Sequence, residues 1–212
     1  MPGAFITLEG IEGVGKSTAL DYIRKFFQAT GIEVVTTREP GGTPWGEMVR
    51  KWLLEGTHDK LSGELEALLM FAARSHHLES IIKPALAAGH FVVCDRFSDA
   101  TFAYQGAGRG ADLNFLQMLK QAVQGSFEPD LTFLLDAPVD VGMKRISDRP
   151  ADHFERESAP FFERIRSRYL RLAEENGGRI VTIDANRPRK AVQRDLERYL
   201  RRFLKSYSAA GV

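Results

Sequence analysis

Eight residues near the start of the chain, Gly10-Ile11-Glu12-Gly13-Val14-Gly15-Lys16-Ser17, carry the spacing G-x-x-x-x-G-K-S, with Thr18 next in line. That spacing suits phosphate chemistry. Glycines let successive backbone N–H groups turn inward on one anion, and the amino end of a following helix adds partial positive charge. Lys16 supplies a point charge for the β- and γ-phosphates of a nucleotide, and the Ser17 hydroxyl is a ligand for Mg²⁺. Residues Gly10 to Thr18 are therefore the expected nucleotide-binding loop. Both flanks fit: Phe5, Ile6 and Leu8 read as a buried strand, and Ala19, Leu20, Tyr22, Ile23, Phe26 and Phe27 as a helix. A glycine-rich turn that merely precedes Lys-Ser needs neither.

A second group stands after the apolar run Phe91-Val-Val-Cys94, where Asp95 and Arg96 follow in line. An acid at the end of such a strand can steady Mg²⁺ through its water shell, and an arginine beside it can meet an acceptor phosphate with a bidentate fork. The alternative is a surface ion pair. No Asn-Lys-x-Asp stretch occurs, which removes the guanine-reading GTPases, and 212 residues leave little room for a motor ATPase. A small kinase remains, with a second site for the phosphoryl acceptor. His76 and His77 lack a carboxylate or cysteine partner at metal-ligand spacing. Cys94 ends a buried strand and reads as packing.

These residues must be positioned by alternating elements. Ile32–Thr37 reads as a second strand, His90–Asp95 as a third, Leu131–Asp136 as a fourth and Arg179–Asp184 as a fifth. Between them, Thr43 caps a helix with Pro44 in its first turn. A longer helix begins at Leu65 after a polar break from Gly56 to Leu61, and Gly106 to Gly110 reads as a glycine-rich turn. Leu113–Val123, Val139–Ile146, Phe161–Glu175 and Lys190–Leu204 are the remaining helices, and Ser206–Val212 is expected to fray. The third strand is apolar on both faces, as in a parallel sheet. The expected fold is α/β: a three-layer P-loop NTPase fold with a five-stranded parallel sheet flanked by helices. Ligands then gather at the carboxyl ends of the strands, where Glu9, Arg38, Asp95 and Asp136 stand.

Composition sets the outer limits. Hydrophobic residues at 43% suffice for a core, and a net charge of +1 gives no bulk attraction to nucleic acid or membrane. One cysteine excludes internal disulfides. No apolar run has the length of a membrane span, and the chain enters a strand almost at once. A single cytoplasmic domain over residues 1–212 is the expectation.

Thr37-Arg-Glu-Pro-Gly-Gly-Thr43, Asp95-Arg96-Phe97 and Ala103-Tyr-Gln-Gly-Ala-Gly-Arg-Gly110 resemble the diagnostic segments of thymidylate kinases, and Leu69-Met-Phe-Ala-Ala-Arg74 resembles that family's helix over the base. The likeness runs in order from about residue 5 to residue 186. It implies transfer of the γ-phosphoryl of ATP to thymidine monophosphate, dependence on Mg²⁺, a homodimer, and a place in thymidine triphosphate synthesis. It implies that Arg38 and Arg96 surround the acceptor phosphate and that Phe71 or Met70 stacks on thymine. Arg74 would bond a thymine carbonyl, Thr101 and Gln105 would read the base edge, and Tyr104 would pack under the sugar. Glu9 resembles an acidic residue near Mg²⁺ and the acceptor; Ser17 and Asp95 complete the metal side. Lys16 and Arg96 would be catalytic, together with an arginine finger.

The loop's variable positions hold no arginine, so the finger is expected from a lid at about 147–154, with Arg149 first and Arg145 second; His153 stands where relatives carry an arginine. Glu12 so near phosphates needs a cation to answer it. Two rivals remain open: another nucleotide or nucleoside kinase of this fold, and a non-catalytic P-loop protein. A nucleoside kinase would need an acid to take a hydroxyl proton and would not need two arginines around a phosphate.

Overall fold

In the computed structural model, described over residues 3–55, 61–148 and 150–210, five parallel strands form one sheet. They are β1 (Phe5–Glu9), β2 (Val34–Arg38), β3 (Phe91–Asp95), β4 (Leu131–Asp136) and β5 (Ile180–Asp184), in the order β2-β3-β1-β4-β5. The expected five-stranded parallel sheet is present.

Alternation divides the strand side chains between two cores. Ile6, Leu8, Phe91 and Val93 join one, and Phe5, Val92 and Cys94 join the other. On the first face Phe27 of α1 (Lys16–Ala29) and Phe203 and Tyr207 of α9 (Arg189–Ala210) meet the Phe91 ring edge-on. On the other, Phe5 packs against Phe97 and Phe127, beside Leu78 and Ile82. Thr7 of β1 and Thr132 of β4 are register partners and share a hydroxyl hydrogen bond of 2.7 Å, so two buried polar groups satisfy each other.

The remaining helices are α2 (Pro44–Glu55), α3 (Gly63–His77), α4 (Lys83–Ala87), α5 (Ser98–Thr101), α6 (Leu113–Gln124), α7 (Val139–Ile146) and α8 (Ala159–Glu175). Thr43 caps α2 as expected, its Oγ1 accepting from the Gly46 amide. Ser62, whose Oγ accepts from the Leu65 amide, starts α3 two residues earlier than apolar spacing indicated.

Two expectations are corrected. Gly106–Gly110 is no simple turn, because Phe102–Gly108 winds as a π-helical stretch. Its glycines serve close packing: a Cβ on Gly108 would stand 2.8 Å from the Phe161 ring of α8. The C-terminal segment does not fray at Ser206. Helix α9 runs to Ala210, and the Tyr207 hydroxyl donates to the Gly3 carbonyl at 2.8 Å.

The chain leaves β1 towards β2 on one side and leaves β3 towards β4 on the other. Adjacent strands whose connections depart in opposite directions open a crevice at their carboxyl ends. The segments that begin at Gly10 and at Arg96 border it.

Candidate functional site

The loop between β1 and α1 holds three glycines of positive φ, Gly10, Gly13 and Gly15. Gly13 has φ of +72°, and a Cβ there would meet the Gly142 carbonyl oxygen of α7 at 1.9 Å. Loop backbone and α7 backbone therefore touch directly. Lys16 folds back over the loop, its Nζ donating to the carbonyls of Gly10 (3.0 Å) and Ile11 (2.8 Å). Burial, and then the Arg96 charge, lower its pKa to about 8.

A cleft of about 640 Å³ opens beside the loop. Of the expected loop residues, Glu12, Gly13, Gly15, Lys16, Ser17 and Thr18 line it, while Ile11 and Val14 send their side chains into the core and Gly10 lies behind the wall. Asp95, Arg96, Tyr104 and Gln105 line the same cleft, so the structure brings the two sequence-distant groups together.

Arg96 is the hub. It is the one non-glycine with positive φ (+72°) among the described residues, a conformation that costs about 1–2 kcal/mol and must be held by its surroundings. Nη1 donates to the Gly10 carbonyl (3.0 Å) and the Tyr169 hydroxyl (3.2 Å). Nη2 donates to Glu12 Oε1 (2.8 Å) and the Tyr104 hydroxyl (2.9 Å), and the guanidinium lies 4.6 Å from the centre of the Tyr104 ring. Burial opposes its charge, but Tyr104, Glu12 and Tyr169 outweigh that and hold its pKa above the ordinary value. The cation that Glu12 requires is thus Arg96.

Arg38 does not line the cleft. It is half-exposed and forks onto Glu47, with Nη2 to Oε2 at 2.8 Å. Arg50 of α2, which sequence reasoning passed over, lines it instead and donates to the Pro40 carbonyl at 3.2 Å. Burial, followed by Arg38 and Arg96, lowers its pKa. The available signal was spacing: Arg50 lies four after Gly46 and three before Leu53, both buried, so it shares their inward face.

Helix α3 turns Met70 and Phe71 to different surroundings. Met70 lines the cleft; Phe71 does not, being buried beneath the Arg74 guanidinium, which sits 4.5 Å from its ring centre. Arg74 is fully buried, with Nε on Glu39 Oε2 (2.7 Å) and Nη2 on Thr101 Oγ1 (3.0 Å) and the Phe97 carbonyl (3.2 Å). Its Nη1 has no partner among the described residues. Thr101 itself is off the cleft wall and orients Arg74. His77, expected to need no function, bridges Glu39 Oε1 (3.0 Å) and Thr37 Oγ1 (2.7 Å).

Glu9 is also withdrawn from the wall. Its oxygens accept from the Phe97 amide and the Tyr169 hydroxyl, both at 2.7 Å, and burial followed by the nearby Asp99 charge raises its pKa. Asp136, the other strand-end acid, is held by a bidentate pair with Arg166. Asp95 differs: its Oδ1 is buried with no partner among the described residues, and the residue lines the cleft, as Ser17 does. An orphaned carboxylate oxygen and a hydroxyl beside a phosphate loop fit a hard divalent cation that keeps most of its water and phosphate ligands.

Arg149 lies outside the described residues. Arg145 lines the cleft and donates to the carbonyls of Ala185 (3.1 Å) and Gly13 (3.4 Å). The lid segment is tied down: the His153 amide donates to the Leu54 carbonyl at 2.9 Å, and Phe154 meets Tyr104 edge-on.

The family model described as thymidylate kinase matches residues 8–196 of this chain. A thymidylate kinase of Methylococcus capsulatus is 54% identical over 193 residues, covering 91% of this chain and 92% of that one. One of Pseudomonas fluorescens is 50% identical over 198 residues, covering 93% and 94%. The crystal structure of a thymidylate kinase from Ehrlichia chaffeensis superposes with a TM-score of 0.74 at 32% identity, covering 94% of this chain and 99% of that one.

Proposed function

The chain belongs to the thymidylate kinase family, and on that premise we propose that its cleft moves the γ-phosphoryl of ATP onto thymidine monophosphate, giving ADP and thymidine diphosphate. The protein is a nucleoside monophosphate kinase, and neither rival reading finds support. The observation that carries the assignment is the shared cleft: Lys16 of the loop and Arg96 after β3 line one cavity and both donate to the Gly10 carbonyl at 3.0 Å.

In the reaction an oxygen of the acceptor's phosphate forms a bond to the γ-phosphorus while the bond from that phosphorus to the β,γ-bridging oxygen breaks. The attacking oxygen is already anionic, so no side chain has to remove a proton. What the site supplies is alignment and positive charge. Loop amides and Lys16 hold the donor's phosphates. Arg96 and Arg50 hold the acceptor's phosphate, with Arg38 outside the cleft as a partner of Glu47. Met70 lies against the base, Gln105 reads its edge and Tyr104 packs under the sugar, while Arg74, expected to bond a thymine carbonyl, is fully buried off the cleft wall. Ser17 and Asp95 would hold Mg²⁺, which supplies charge neutralisation between the β- and γ-phosphates. A lid arginine, Arg149 or Arg145, serves the migrating group.

We also propose a homodimer. Helix α3 packs between α2 and α6. These three helices leave Met48, Trp52, Leu65, Leu68, Leu113 and Met118 about half exposed, an apolar surface that a second copy would cover. No described helix is long and apolar enough to cross a membrane.

Purified protein given ATP, magnesium and a panel of monophosphates should release ADP with thymidine monophosphate and form the diphosphate. Release of ADP with no dependence on the acceptor would overturn the assignment.

A further inference from the structure

We infer that Glu66, a residue behind the cleft wall, sets which pyrimidine the cleft accepts by fixing how the Gln105 amide is turned. The inference rests on the reading of the cleft as a thymidine monophosphate site. Gln105 lies in the π-helical stretch, is 3% exposed, and lines the cleft. An amide can present either its C=O or its NH₂ to a cavity, and the two choices ask for opposite ligand chemistry. Here Nε2 donates to Glu66 Oε2 at 2.9 Å.

Glu66 has little freedom of its own. It is 4% exposed at the side chain, and its other oxygen accepts from Arg109 Nε at 3.1 Å. Arg109 is held in turn by Glu157 and by His153 Nε2 at 3.4 Å. The rings of Phe154 and Phe161 flank its guanidinium at 5.1 and 5.0 Å. A carboxylate paired to a guanidinium offers only acceptors, so it must face the NH₂ of Gln105. The carbonyl Oε1 is left for the cleft, and it has no other partner among the described residues.

An acceptor at Gln105 asks the base for a donor, while Arg74 is fully buried and off the cleft wall. Thymine and uracil present an N3–H donor and satisfy that acceptor. Cytosine presents an N3 acceptor in the place of that donor and conflicts with the Gln105 carbonyl. The discrimination therefore depends on a residue that does not touch the base. Glu66 is a positioning residue for specificity.

The test is Glu66→Gln, which keeps size but can donate as well as accept, so Gln105 is free to turn. The ratio of kcat/KM for thymidine monophosphate over deoxycytidine monophosphate should fall about tenfold or more, through the pyrimidine KM values, while the KM for ATP stays at its parent value. An unchanged ratio in a folded Glu66→Gln protein overturns the inference. Should that variant not fold, the parent protein decides by NMR. With thymidine monophosphate bound, the N3 imino proton and one Gln105 side-chain amide proton should both be protected from exchange. A freely exchanging Gln105 amide overturns the inference. Parent protein that forms no thymidine diphosphate would remove the premise instead, so the two failures are separable.

Discussion

Glu12 and Arg96 stand 84 residues apart in sequence and meet at 2.8 Å, closing an acid of the phosphate loop onto the guanidinium that follows β3. The pair lets an acid sit among groups built for anions. Arg96 spreads its fork over Glu12, Tyr104, Tyr169 and the Gly10 carbonyl, and a lysine's point charge cannot reproduce that geometry. Arg96→Lys should raise the KM for the acceptor at least tenfold (about 1.4 kcal/mol) and leave the KM for ATP nearly unchanged. Steady-state kinetics in both substrates checks it; equal effects on both would reject Arg96 as an acceptor-phosphate ligand.

Arg50 and Arg38 separate by location. Arg50→Ala should raise the KM for the acceptor about tenfold or more, as loss of a charged hydrogen bond does. Arg38→Ala should change it only slightly, because Arg38 is engaged by Glu47 outside the cleft. The reverse order would mean that ligand draws Arg38 off Glu47 and into the site.

Lys16 makes donor binding pH-dependent. Its pKa lies near 8 instead of 10.5, so the free protein loses this charge as pH rises through about 8. Nucleotide phosphates favour the charged form and must raise that pKa again. Between pH 8 and 10.5 ATP binding should therefore take up a proton, and affinity should weaken as pH climbs. Calorimetry at pH 8.5 in buffers of different ionisation enthalpy reads the uptake. Lys16→Met should abolish it, and buffer-independent heats in the parent protein would refute the assignment.

Arg74 and Glu39 are 0% and 2% exposed, and truncating one strands the other. Arg74→Ala should cost about 3–5 kcal/mol of stability, while Glu39→Gln with Arg74→Met should cost less than the single change. Urea unfolding distinguishes them. A double variant weaker than Arg74→Ala would show that the pair contributes more than mutual neutralisation.

The sheet, the loop and the Asp95-Arg96 group were legible because each is local: apolar runs, a fixed glycine spacing, an acid at a strand end. What escaped was set by tertiary packing. Arg50 enters the cleft only because α2 lies across it, and Arg38 leaves because Glu47 is within reach. Met70 and Phe71 are equivalent in type, and the helix's rotation alone decides between them. The π-helical winding at Phe102–Gly108 has no signal beyond glycines that also mark turns.

At Gly13 and Gly142 two backbones lie against each other with no side chain between them. Helix α7 leads into the segment expected as the lid, so the cradle for the donor's phosphates and the root of that segment meet without a cushion. A shift of α7 would reach the loop backbone directly, with no rotamer between them to absorb it. A methyl group at either glycine would act as a wedge, forcing cradle and helix out of alignment while leaving every charged group in the chain intact.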